Sequence, residues 1–131
     1  MQSNYLDWVK KAEEDYLVIK AIIKSDYNPV SGILFHAQQC AEKYLKAYLS
    51  FKGKEIAKIH DLVSLHQFCF EIDSTFSIIK NDLIYLDGFA VAPRYPDEFA
   101  EYEISDAITA IECCNRSREI CRRLLNLKIN S

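Results

Sequence analysis

The stretch "ILFHAQQCAEKYLKAYLSF", residues 33–51, places apolar residues at alternating steps of four and three: Ile33, Ala37, Cys40, Tyr44, Ala47, Phe51. That spacing puts them on one face of an α-helix. Leu34, Ala41, Leu45 and Tyr48 flank the stripe, so the helix has apolar surface for two neighbours at once and belongs at the centre of a bundle. Two more long stripes can serve as those neighbours. One runs Tyr5, Val9, Ala12, Tyr16, Ile19, Ile23, and the other Ala107, Ile111, Cys114, Arg118, Cys121, Leu125. Between them lie two shorter patterns, Leu62, Leu65, Cys69, Ile72 and then Phe76, Ile79, Leu83, Leu86.

Local chemistry marks the breaks. Ser25, Asp26, Asn28 and Pro29 predict a turn, Gly53 a helix stop, Asp73 and Ser74 N-caps, and Gly88 a left-handed residue ending a helix. Residues 88–97 read as a loop, because Pro93 and Pro96 lack a backbone donor and hold the residues before them extended. Short connections between long helices favour antiparallel neighbours. The expected fold is all-α, an up-and-down antiparallel bundle of four to five helices in one domain, residues 1–131.

With 131 residues there is room for one substantial core and little space for a second. Only 3 glycines and 3 prolines argue against a turn-rich β fold. A net charge of -3 argues against a wholly electrostatic nucleic-acid binder. Locally the balance shifts: Lys43, Lys46, Lys52, Lys54 and Lys58 face only Glu55 within 43–60, whereas 97–112 holds acids and no base. No apolar run approaches the roughly 18 residues that would span a membrane, and no leader precedes the first helix, so a cytoplasmic location is expected. The five cysteines are odd in number and form no C-x-x-C pair, which predicts reduced core thiols and neither disulfides nor zinc. Nothing calls for a metal or a cofactor.

Several residues carry possible chemistry. Gln39, Lys43, Lys46 and Ser50 repeat a four-three-four spacing along one side of the central helix. Two ammonium groups a turn apart can hold a phosphate; equally, they can solubilise that face or pair with Glu42 or Glu55. "KIHDLVSLH" (58–66) puts His60 at a helix start, either as a switchable donor to an anion or as a turn residue, with Asp61 in the first turn. His60 and His66, six apart, face opposite ways and share no metal. His36 reads as a partly buried, satisfied residue. Arg122 suits the negative end of the last helix, and Arg118, inside an apolar stripe, needs a carboxylate or a stem laid along the surface.

Taken in order, "DWVKKAEEDY" (7–16), "AQQCAEKYLKAYLSFKG" (37–53), "IHDLVSL" (59–65) and "APRYPDE" (92–98) resemble a bacterial or archaeal HEPN domain along nearly the whole chain. The resemblance implies an all-helical bundle that commonly dimerises. It also implies a gene often found beside a minimal nucleotidyltransferase, and a binding role toward nucleotides or RNA. Many relatives are ribonucleases of toxin–antitoxin and defence systems, whose active site is an arginine followed four to six residues later by a histidine. Here Arg94, Arg116, Arg118, Arg122 and Arg123 all follow His36, His60 and His66, so that motif is absent. Phe99, Ala100 and Glu101 stand where its histidine would follow Arg94.

The reading that follows is a non-catalytic homodimeric binding module. It recognises a nucleotide, another phosphorylated molecule or RNA, or docks on a nucleotidyltransferase partner, or does both. The expected ligand-binding residues are Gln39, Lys43, Lys46, His60, Arg94 and Tyr95, with Arg94 on its proline-stiffened loop offering a planar guanidinium. The alternatives are a diverged ribonuclease combining Arg94 with His60, and a purely structural dimerisation module.

Overall fold

The structure, a computed structural model, describes residues 4–25, 29–56, 58–89 and 102–129. Among them the order is α1 (Tyr5–Lys24), α2 (Val30–Phe51), α3 (Leu62–Ile72), a 3₁₀ helix (Ser74–Ile79), α4 (Lys80–Asp87) and α5 (Ile104–Leu124). The expected all-α bundle is what forms.

Four of the helix starts are capped by a side chain, while α2 and α4 begin without one. The Asn4 side chain accepts from the Leu6 N–H at 2.9 Å, and Asp61 accepts from the Ser64 N–H at 2.9 Å. Asp73 caps the 3₁₀ helix through the Thr75 N–H at 2.9 Å. At α5 the Asp106 carboxylate reaches back to the Glu103 N–H, also at 2.9 Å. These oxygens satisfy donors that a helix leaves unpaired in its first turn. Asp61 is thus the cap itself and not a first-turn residue.

Consecutive helices pair antiparallel. Tyr5, at the start of α1, packs its ring 4.9 Å from that of Phe51 at the end of α2. Leu62, first in α3, donates its N–H to Asp87, last in α4, at 2.8 Å. Tyr85 of α4 donates to the Asp106 carbonyl near the start of α5 at 3.2 Å, while Asp82 meets Arg116 further along.

α2 lies in the middle, packed by α1 on one side and α5 on another, with α3 and α4 closing a third. Its buried residues run almost without a break from Ile33 to Leu49 and include Gln38, Glu42 and Lys46. A helix enclosed this fully must also bury some of its polar face, and every buried polar group then needs a partner. That requirement shapes the candidate site. All five cysteines are buried free thiols. Among the described residues no helix is long and apolar enough to cross a membrane.

Two glycines expected to end helices behave differently. Gly53 has φ +78, and the bonds Gly53 N–H to Ser50 O (3.0 Å) and Lys54 N–H to Leu49 O (2.9 Å) close α2 in the usual left-handed glycine turn. Gly88, by contrast, stays right-handed at φ -66, so its role as a left-handed stop is not realised; the chain simply continues in a helical turn to Phe89. The expected outcome is opposite for the two sites. Gly53→Ala should lose about 1 kcal/mol from left-handed backbone strain, whereas Gly88→Ala should be neutral or gain up to about 1 kcal/mol. Chemical denaturation of both variants measures this; equal losses would contradict the difference in backbone.

Candidate functional site

Lys46 is 1% exposed, yet it carries a charge. Its Nζ lies 3.1 Å from Glu42 Oε2, one helical turn earlier, and 3.1 Å from His60 Nδ1. It also sits 5.3 Å from the centroid of the Trp8 ring, whose face attracts a cation. His60 Nδ1 is in turn 3.1 Å from the same Glu42 oxygen. Four residues from three parts of the chain therefore meet at one ammonium group.

The turn at Gly53 explains how His60 arrives. After it the chain doubles back beside α2, from Phe51 to the level of Glu42, roughly 13 Å of helix axis at about 1.5 Å per residue. Asp61 then anchors the start of α3 directly beyond His60. His60 remains 69% exposed on its side chain, while Glu42 is 9% exposed. It lines an open cavity of 440 Å³ together with Lys58, Ile59, Asp61, Ser64, Gln67 and Phe68. Trp8 lines another of 430 Å³ with Asp7, Lys10, Lys11 and Glu14. The Lys46 ammonium thus touches one wall residue of each cavity.

A second cluster lies along the α1–α2 contact. Asp15, buried, takes His36 Nδ1 on one carboxylate oxygen at 2.7 Å and Lys43 Nζ on the other at 2.5 Å. Lys43 and Lys46 therefore do not present two bare ammonium groups: each is held by its own carboxylate. Gln39 donates to Gln38 Oε1 at 2.6 Å, leaving the buried Gln38 Nε2 without a partner among the described residues.

The third cluster answers the question raised by Arg118. Its guanidinium is bidentate on Glu13, with Nε to Oε2 and Nη2 to Oε1 both at 2.8 Å, and it stacks 4.4 Å from the Tyr16 ring centroid. The Tyr44 hydroxyl donates to Glu13 at 2.5 Å and accepts from Arg122 Nη1 at 3.0 Å. Arg118 and Arg122 also donate to the backbone carbonyls of Ile129 and Lys128. Arg122 is consequently a buried network member, more than a side chain suited to the helix end. Burial alone would raise the Glu13 carboxyl, but the hydrogen bonds from Arg118 and Tyr44 and the two nearby guanidinium charges outweigh it and hold it below its ordinary value.

No described cysteine is placed as a nucleophile. Burial pushes the Cys113 thiol up to about 11 and raises Cys69 and Cys121 as well. Among the described residues no group of three or more His, Cys, Asp or Glu side chains is arranged to hold a metal ion.

The HEPN domain profile matches residues 5–126. The chain is a member of the HEPN family. A protein of Methanocaldococcus jannaschii named "Putative toxin MJ1304" is 28% identical over 136 aligned residues, covering 92% of this chain and 88% of that protein. No solved structure matches.

In this HEPN domain Lys46 and His60 come together, Lys43 sits one cluster away on Asp15, and Gln39 bonds its neighbour Gln38. Arg94 and Tyr95 lie outside the described residues. Sequence reasoning offered Glu42 as a partner for the lysines of the central helix, and Lys46 pairs with it; it passed over Trp8, Glu13 and Asp15. Asp15 had a signal, since its spacing of three from Ala12 and four from Ile19 puts an acid on the buried face of α1.

The Glu13 network gives a pH-dependent expectation. Because its folded-state pKa is depressed, its stabilisation is complete above about pH 4.5 and is lost as pH falls through the lower folded value. Glu13→Gln should cost about 3 kcal/mol near pH 7, where it leaves a guanidinium uncompensated. Urea unfolding of both proteins should show that gap narrowing at about pH 3; a gap constant with pH would contradict the assignment.

Proposed function

We propose that this HEPN domain is a binding module for a nucleotide, another phosphorylated ligand or RNA, held where Lys46 and His60 meet on Glu42. The observation that carries the reading is that convergence on His60, which alone of the cluster lines the cavity. An exposed imidazole, the Lys58 ammonium and the second N–H of the Gln67 amide, whose first is given to Glu71, supply donors to an anion, and Phe68, 40% exposed, supplies a face for a base. Trp8, across Lys46, offers a second aromatic surface within reach of a longer strand. Glu42 offsets one of the nearby charges, which matches a site for a discrete phosphorylated group better than a broad basic track.

The site lacks the arginine-then-histidine spacing of HEPN ribonucleases, so binding without catalysis is the reading. The toxin named among its relatives supports a place in a two-component toxin–antitoxin system. A homodimer docking on a nucleotidyltransferase partner fits the family. Gln39 and Lys43 border the site along α2, and Arg94 and Tyr95 belong to the proposed ligand set through the Arg-Tyr-Pro stretch.

Calorimetric titration with AMP, ATP and a short single-stranded RNA tests the proposal. At least one is expected to bind, more weakly as salt rises, and His60→Ala should weaken it about tenfold, as befits loss of one charge-assisted hydrogen bond. Binding that is indifferent to His60→Ala, with the variant's melting temperature unchanged, would move the ligand elsewhere. No heat with any of the three would end the reading.

A further inference from the structure

His60 stands in an unusual position between its neighbours. Nδ1 is 3.1 Å from Lys46 Nζ, which can only donate, and 3.1 Å from Glu42 Oε2, which as a carboxylate can only accept. The nitrogen cannot satisfy both at once. With its lone pair free, Nδ1 accepts from Lys46 and the ring hydrogen sits on Nε2. With a proton on it, Nδ1 donates to Glu42 and the Lys46 contact becomes a repulsion, relieved because Lys46 keeps Glu42 and the Trp8 face.

The ring, 69% exposed, lines the 440 Å³ cavity. Among the described residues no group bonds Nε2. The charged groups around the ring are Glu42 and Lys46 on α2 and Lys58 and Asp61 on either side of it, two of each sign. Asp61 is held below its ordinary value by its hydrogen bonds with Ser64 and stays ionised, so the surrounding charge sums to zero. An imidazole has an unperturbed titration near neutrality, where small changes in its surroundings decide its charge. A dianionic phosphate arriving at Nε2 is such a change, since it favours the imidazolium and the Nδ1 hydrogen bond to Glu42.

We propose that the His60 cavity takes up a phosphate group together with one proton, His60 switching from accepting a Lys46 hydrogen bond to donating one to Glu42. This rests on the binding site proposed above and adds its ligand chemistry and its pH dependence. The proton comes from solvent and returns there on release; no bond to phosphorus is made or broken. A phosphate monoester is already largely a dianion at about pH 7, so above that its affinity falls as pH rises while its own charge changes little.

The test has two parts. In the free protein at about pH 8.5, long-range proton–nitrogen NMR is expected to find His60 with its hydrogen on Nε2 and Nδ1 unprotonated; the reverse tautomer overturns the switch. Calorimetry at about pH 7 in buffers of different ionisation enthalpy then compares two phosphate monoesters, ribose 5-phosphate and AMP, with adenosine. Both monoesters should bring in roughly half a proton, and affinity should drop roughly threefold or more between about pH 7 and about pH 8.5, a range over which a monoester is largely a dianion. Adenosine should bring in none. His60→Gln should abolish the proton uptake.

The outcomes separate the two claims. AMP bound without proton uptake, or adenosine taking up as much as AMP, overturns the coupling and leaves the site standing. No binding of ribose 5-phosphate or AMP overturns both. Equal uptake with ribose 5-phosphate and AMP supports the coupling and assigns it to the phosphate group itself.

Discussion

A lysine that is almost wholly enclosed by protein has to be compensated, and the Lys46–Glu42 pair is where this fold meets that demand. An unpaired buried ammonium is expensive to take out of water, whereas one that keeps a carboxylate at 3.1 Å and an aromatic face at 5.3 Å is tolerated. The cause lies in the packing of α2. Because α1, α5 and the α3–α4 pair surround that helix, its polar stripe is closed over as well as its apolar one. Everything proposed about function follows from how that stripe is compensated. Asp15 serves Lys43 and His36, Glu42 serves Lys46 and His60, and Glu13 serves Arg118 and, more distantly, Arg122.

These three carboxylates differ in how far their clusters are closed into the fold. Glu13 ties α1 to α5 and, through Tyr44, to α2, with both guanidinium groups also spent on backbone carbonyls; little of that network faces outward. Asp15 fastens α1 to α2 in the same way. The Glu42 cluster differs because one of its members, His60, is mostly in water and opens on a cavity. Rigid support behind an exposed titratable group is what allows a small ligand to be read by charge and proton at once.

Much of the fold was legible in the spacing of apolar residues. The stripe from Ile33 to Phe51 identified the central helix, and Arg118 within the last stripe announced a buried guanidinium that had to find a carboxylate. Which carboxylate was not legible: Glu13 sits at the other end of the chain, on a helix whose stripe was read through Tyr16 and not through the neighbouring acids. The meeting of His60 with Lys46 was equally hidden, because it depends on the chain doubling back after Gly53, and a turn's direction is not written in helical periodicity. Gly88 shows the converse, a residue that permits a left-handed stop without requiring one.

The proposed phosphorylated ligand sits at His60, in the cavity that Phe68 also lines, with Glu42 and Lys46 behind the ring. Chemical-shift mapping of the isotope-labelled protein during a titration with AMP tests it most directly. The largest shifts are expected at the His60 ring, the Ser64 amide and the Trp8 indole N–H, with the α4–α5 surface around Asp82 and Arg116 unmoved. Shifts confined to that α4–α5 surface, with His60 and Trp8 unchanged at saturation, would contradict it.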